Sequence, residues 1–284
     1  MSLDAHIVGT DGDVVGVEAG RLLTKSIAEH GKLSLARGAV PGISCIRKFG
    51  RNTAVGGTNE EIWSSGGPYT GWLQAAETLR VKAGGAAADT LGGVGAQSIN
   101  FSGLDEDWRP LSRSVNTLGA LVSLETDKKF IRLFRASVDG AGAYGGNNTA
   151  AVNIETSGGT LIGLIGAALG QTQMAIYCIP ADTYGFLSRL KIVNETTTTK
   201  SVNAQMWRRE RADVVTAGSL FGPKRLVKAV DELLGEDLDV YECMPFFPPK
   251  TDVWVSALKS GGGADPSVNA QFDIFLVNKS LVGG

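Results

Sequence analysis

From Ile46 onward, apolar and polar residues alternate in short runs broken by glycine, proline and asparagine. Residues 97–101 (QSINF) and 130–136 (FIRLFRA) follow the two-residue repeat of a half-buried strand. Runs at 79–82, 118–124, 151–154, 160–165, 174–179, 186–193, 201–207, 253–258 and 270–277 read as further strands. Between them lie breaker clusters such as 139–148 (DGAGAYGGNN). Strands at regular spacing that do not alternate with helices disfavour a parallel βαβ sheet. They predict an all-β fold, a jelly-roll-like β-sandwich body. No short exact repeat points to a solenoid.

Two stretches break the pattern. Residues 226–234 (LVKAVDELL) are the best helix candidate outside the N-terminal region. Residues 21–36 carry Leu22, Leu23 and Ile27 at partly helical spacing, interrupted by Gly31. Residues 1–45 therefore read as an extended arm with one short helix, closed by a turn at Pro41-Gly42. Residues 46–284 form the body, with a break near 145–158 that would divide it into two β subdomains. The segment 161–179 is long enough to cross a bilayer, but Gly163, Gly166, Gly170, Gln171, Thr172 and Gln173 interrupt it. It is read as two core strands joined by a glycine-containing turn, and no membrane partner is expected.

Composition narrows the function. Glycine accounts for 38 of 284 residues, about twice its usual ~7% share, yet without the triplet period of collagen. A net charge of −2 argues against a nucleic-acid partner. The only histidines are His6 and His30, and Cys45, Cys178 and Cys243 form no Cys-x-x-Cys pair. No zinc site is spelled. Wide spacing and an odd count suit buried, reduced thiols made in a cytoplasm. The N-terminus lacks the basic and apolar regions of a secretory signal.

Candidate chemistry is sparse. No phosphate loop and no Gly-x-Ser-x-Gly elbow appears. Asp11 and Asp13 begin like a calcium loop, but Val15 and Leu22 occupy ligand positions. Asp105, Glu106 and Asp107 precede Trp108, as carboxylates beside an aromatic would in a sugar site. A tight turn between strands is the favoured reading. Arg208, Arg209 and Arg211 suggest a solvated strand end over an anion site. The run 245–250 (PFFPPK) either covers a sheet edge or anchors an interface. The expectation is a protein without catalytic residues, metal or cofactor that works by presenting surfaces.

A resemblance sharpens this expectation. The run 48–69 (KFGRNTAVGGTNEEIWSSGGPY) resembles the opening of a structural-protein family of tailed bacteriophages, of the marine-phage type. There a K-F-G-R-N stretch precedes an E-x-I-W element and a Gly-Gly-x-Tyr turn. Residues 95–108, 132–136, 175–185, 250–257 and 270–277 resemble further elements of that family in order. The resemblance covers about 48–277, and the N-terminal stretch here is longer than in the usual family form. It implies a virion protein, foremost a capsid decoration or cement protein on the outer shell. Its implied partners are the major capsid protein and further copies of itself, as a trimer or dimer. Synthesis would occur in the host cytoplasm. The alternative is a tail or receptor-binding protein that contacts host glycan or protein through its loops. A glycan hydrolase using Asp105, Glu106 or Asp107 is the third reading. The interaction candidates are Leu22, Leu23, Ile27, Phe49, Arg51, Trp63, Phe246 and Phe247, with Phe49 and Trp63 expected to be buried where arm meets body.

Overall fold

The computed structural model describes residues 34–35, 37–84, 87–196, 200–214 and 221–281, and the backbone of 17–18 and 21–22. A two-residue pairing of β1 (Val17–Glu18) with β2 (Arg21–Leu22) precedes the body. The body opens with β3 (Ile43–Asn52) and β4 (Glu60–Glu61). It continues through β5 (Leu79–Ala83), β6 (Ala96–Leu104), β7 (Pro110–Asn116), β8 (Arg132–Ala141), β9 (Val152–Thr156) and β10 (Leu161–Ile165). Then come β11 (Ile176–Cys178), β12 (Thr183–Asn194), β13 (Ser201–Arg209), β14 (Arg225–Leu233), β15 (Glu236–Val240) and β16 (Phe246–Phe247). The strands β17 (Asp252–Ser260) and β18 (Val268–Asn278) close the chain, followed by one 3-10 turn at Lys279–Leu281.

The expected all-β fold is the observed one, and the strand order makes the jelly roll explicit. One sheet runs β15-β12-β18-β3, and the facing sheet runs β11-β17-β13-β14. Taking β3, β11, β12, β13, β14, β15, β17 and β18 in chain order as B to I, the sheets read G-D-I-B and C-H-E-F. That is the interlocked connectivity of an eight-stranded jelly roll. The short strands extend its edges: β16 continues the β15 side of β12, and β4 continues the β11 side of β17. The last strands of the chain, β17 and β18, lie in the interior of the two sheets.

A second, smaller sandwich is inserted between β4 and β11. It packs the sheet β7-β6-β8 against the sheet β10-β9-β5. Each sandwich has its own core. Leu187, Leu190, Phe272 and Ile274 meet Val202, Met206, Val253 and Val255 in the jelly roll. Leu79, Val81, Ile154 and Ile165 meet Ile99, Phe101 and Leu133 in the insertion. Each such fully buried side chain contributes about 1.5–3 kcal/mol, so alternation along the strands fixes which face points inward. Residues 145–158 lie inside the inserted sandwich, not at its boundary.

Several expectations are corrected. The helix candidate 226–234 is the strand β14. Its pairing with β13 slips twice, between Val202/Ala204 and between Met206/Trp207. These bulges turn the period of two into a spacing of three, so Val227, Val230 and Leu233 all reach the core. A bulged strand thus imitates helical periodicity. Residues 118–124 are not a strand either. This segment runs along the outer edge of β5, where Ser123 Oγ and Thr126 Oγ1 accept from Val81 N and Leu79 N at 2.9 and 3.0 Å. Cys178 is buried as expected, whereas Cys45 and Cys243 are exposed. Of the stretch 21–36 expected to hold the arm helix, Arg21–Leu22 is instead strand β2 and only residues 34–35 are described as helical, while Leu23, Ile27, both histidines and the 11–16 loop lie outside the described residues, as does the side chain of Leu22. The 161–179 segment is β10, a turn with Gly170 at φ +70° and β11, and no described helix is long and apolar enough to cross a membrane.

Candidate functional site: the seam between two sandwiches

The seam starts from the alternation of β3. Lys48, Gly50 and Asn52 face inward and are buried, while Phe49 and Arg51 lie on the other face, half-buried. Gly50 is required by close approach: a Cβ there would lie 2.2 Å from Ala175 N and 2.3 Å from Ile62 O. At this point β3 passes against the hydrogen-bonded junction of the chain entering and leaving the insertion (Ala175 N to Ile62 O, 2.9 Å).

Two positions earlier the inward face carries a lysine. Lys48 is 5% exposed, and its ammonium donates to the carbonyl of Phe134 on β8. Burial, reinforced by the nearby Arg135 charge, pulls its pKa down to about 7. The side chain forms the floor of a cleft of about 550 Å³ between β3, β6, β7, β8 and β11. Ile46, Leu111, Phe134 and Tyr177 supply apolar walls. Phe134 and Tyr177 pack with ring centroids 4.3 Å apart. At the rim, Arg47 is committed to Asp273 through two hydrogen bonds of 2.9 and 3.2 Å. Arg135 instead lies over the Phe49 ring at 5.8 Å.

Deeper in the seam lies a buried charge cluster. Asp252 on β17 is fully buried and accepts from two guanidinium groups. Arg132 on β8 donates through Nε and Nη2 at 2.8 and 3.0 Å, and through Nη1 to the carbonyls of Leu73 and Ile131 at 2.7 Å. Arg209 on β13 donates to Asp252 Oδ2 at 3.2 and 2.5 Å. The two cations hold the Asp252 carboxyl below the ordinary carboxylate range despite its burial. Trp72 lies under both, 5.5 Å from Arg132 and 4.8 Å from Arg209, with Trp108 and Trp254 beside them. Because Arg132 belongs to the insertion and Asp252 to the jelly roll, this cluster ties the two sandwiches together.

The far end of the inserted sandwich is organised by another buried carboxylate. Asp89 accepts from the backbone of Ala96, Thr149 and Ala150 and from the Thr149 hydroxyl, at 2.8 to 3.0 Å. Those hydrogen bonds hold its pKa low and pin the loop before β6 to the loop between β8 and β9. The loops and the adjoining edge segment present large apolar side chains to solvent: Leu91 (61% exposed), Leu121 (66%), Leu124 (86%) and the fully exposed Tyr144.

The sequence candidates are dispersed over this framework. Trp63 is buried, donating Nε1 to Gly67 O at 3.0 Å. Phe49 is half-buried on the outward face of β3, less enclosed than expected. Arg51 pairs with Glu195 at 2.7 Å. Phe247 is fully buried and Phe246 is 44% exposed, stacked near Tyr184 and Phe186, so β16 covers part of the β12 edge. Asp105 caps the β6–β7 hairpin, accepting from Asp107 N and Arg109 N at 3.0 and 2.9 Å. Of the basic knot, Arg208 pairs with Glu210 at 3.3 Å, and Arg209 is not solvated but points into the seam. Sequence reasoning missed Lys48, Arg132 and Asp252. The signal for Lys48 was its parity with Gly50 and Asn52 on an inward strand face; Arg132 had no such signal, because Ile131 and Leu133 on either side of it are core residues of the insertion and a bulge breaks the alternation of β8. Among the described residues no group of three or more His, Cys, Asp or Glu is placed to hold a metal ion.

No family model matches the chain, and neither does any curated protein. Among solved structures, the VP2 subviral particle of infectious bursal disease virus is similar over 83% of this chain and 72% of that one. The identity is 11% and the TM-score 0.25. T=1 particles derived from the same virus cover 86% and 74% at 11% identity, also with a TM-score of 0.25. The Gx strain structure of that virus gives 84% and 73% at 9% identity and 0.24. A likeness at this level establishes neither a shared fold nor a shared role.

Proposed function

We propose that the chain is a non-enzymatic virion structural protein, a capsid decoration protein that binds the outer shell and bridges major capsid subunits. The observation that carries the reading is the apolar display on the inserted sandwich. Leu91, Leu121, Leu124 and Tyr144 stand in solvent on loops that Asp89 and the β5 edge hold in place. An apolar patch is the kind of surface a protein partner covers, these four side chains are the groups that would build it, and a preorganised surface loses little entropy on docking. The jelly roll is compatible with capsid proteins, lectins and cupins alike, so it supports the reading without selecting it. The motif resemblance around Lys48 to Tyr69 supplies the phage assignment. A clamp that binds the assembled lattice and not free subunits stabilises the shell by mass action, and a closed homo-oligomer, a trimer or dimer, fits shell symmetry.

The test is copy number in purified particles of the encoding phage, measured by quantitative mass spectrometry against the major capsid protein. A ratio of the same order as the capsid protein is expected. A few copies per particle would move the protein to the tail, and its loops to receptor contact. Absence from particles would end the virion reading.

A further inference from the structure

The cleft at the seam holds a cation without a counter-ion. Its lining contains no aspartate or glutamate. Asp273, the acid nearest in sequence register, is occupied by Arg47 and Arg189 at 2.9 and 3.0 Å. An ammonium carries three donors, and Lys48 has one acceptor among the described residues, the Phe134 carbonyl. Two donors therefore remain on a group buried at the floor of a cleft with apolar walls. A second cation, Arg135, stands on the same lining, with one weak hydrogen bond of 3.5 Å to the Arg47 carbonyl. An unpaired buried charge is costly, and a hydrogen-bonded counter-ion removes much of that cost.

We infer that this cleft is a binding site for a small amphipathic carboxylic acid, whose carboxylate reaches Lys48 while its apolar body packs against Phe134 and Tyr177. Charge complementarity selects the anion, and the walls select the apolar body. A cleft of about 550 Å³ falls within the ~300–1,000 Å³ range of small-molecule sites. Lys48 sits close to its own titration point near neutrality, so the bound anion would favour the protonated amine and binding would take up protons.

Octanoate is the probe, titrated calorimetrically into the full chain, with octan-1-ol as the neutral control. One saturable site is expected, with octanol weaker by about tenfold or more, the scale of a lost charged hydrogen bond. Lys48→Met is expected to weaken octanoate by a similar factor and to leave octanol unchanged. Arg135→Ala, near the mouth and outside both cores, should weaken octanoate by a smaller factor. Absence of saturable binding overturns the proposal. So does octanol binding as tightly as octanoate, a comparison that needs no variant. Equal octanoate affinity in a folded Lys48→Met protein overturns it as well.

Discussion

Lys48 is the residue at which the chemistry of this chain departs most from that of a passive scaffold. Its amine titrates at about 7 in the folded protein, against an ordinary value of 10.5. Between these values the unfolded chain holds a proton that the folded chain has released. Stability therefore rises with pH across that window, and the cost of burying the charge is fully present below about 7. Thermal unfolding followed from pH 6 to pH 10 should show this rise, superimposed on the other groups' contributions. Lys48→Met should flatten it. An equal slope in both proteins would show that the amine titrates normally. The residue was legible in part: its alternation places it inward, but only the fold shows that inward here means a seam between two cores. The residues that meet there come from positions 46–48, 102–103, 110–112, 134–135 and 177, a juxtaposition no local pattern encodes.

At the scale of elements, strands that alternate over most of their length were readable, because burial on one face dictates a period of two, and β12 stayed readable despite one bulge between Leu187 and Arg189. Residues 97–101, 186–193 and 270–277 fall within β6, β12 and β18. Failures occurred where another force set the spacing. Bulges made β14 look helical, and 118–124 meets β5 through a single bridge, Lys82 to Val122, with the Ser123 and Thr126 hydroxyls taking up neighbouring β5 amides in place of a continuous ladder. The run 245–250 offered edge cover or interface anchor, and the buried Phe247 beside the half-exposed Phe246 accommodates both. Gly50 shows what an element can require of one position. Gly50→Ala would drive a Cβ into backbone atoms at 2.2 and 2.3 Å, which no side-chain rotation relieves. A loss of at least about 1–3 kcal/mol is expected, the cost of overpacking a close contact, read from denaturant midpoints. An unchanged midpoint would mean that β3 moves freely away from the junction of β4 and β11.

For the whole molecule, the question is what fixes one sandwich against the other. The answer lies in Arg132, Asp252 and Arg209, drawn from positions far apart in sequence. Asp252→Asn removes the only acid among three buried charges and leaves two guanidinium groups uncompensated. A loss of about 3–5 kcal/mol is expected. Replacing all three with apolar residues of similar volume should cost less than the single change, because no charge is then left buried. Denaturant unfolding of both proteins checks this, and a milder effect of Asp252→Asn than of the triple change would show that packing, not charge balance, dominates the seam. From the sequence, the all-β class and the jelly roll were accessible through strand spacing. The insertion was not, since its boundaries carry the same strand-and-turn texture as the rest.

The interior position of β17 and β18 sets a timetable for synthesis. Every sheet neighbour of the smaller sandwich has been made once residue 165 has left the ribosome. At that stage only β3 and the short β4 of the jelly roll exist, and β12 and β13, once made, keep open edges until β18 and β17 follow. The inserted unit is thus free to settle first, while the older β3 waits for a partner that is made last. Nascent chains that stop short of residue 252 would hold one finished sandwich beside two half-sheets with open edges and an unpartnered β3, a species suited to chaperone capture and to edge-to-edge association.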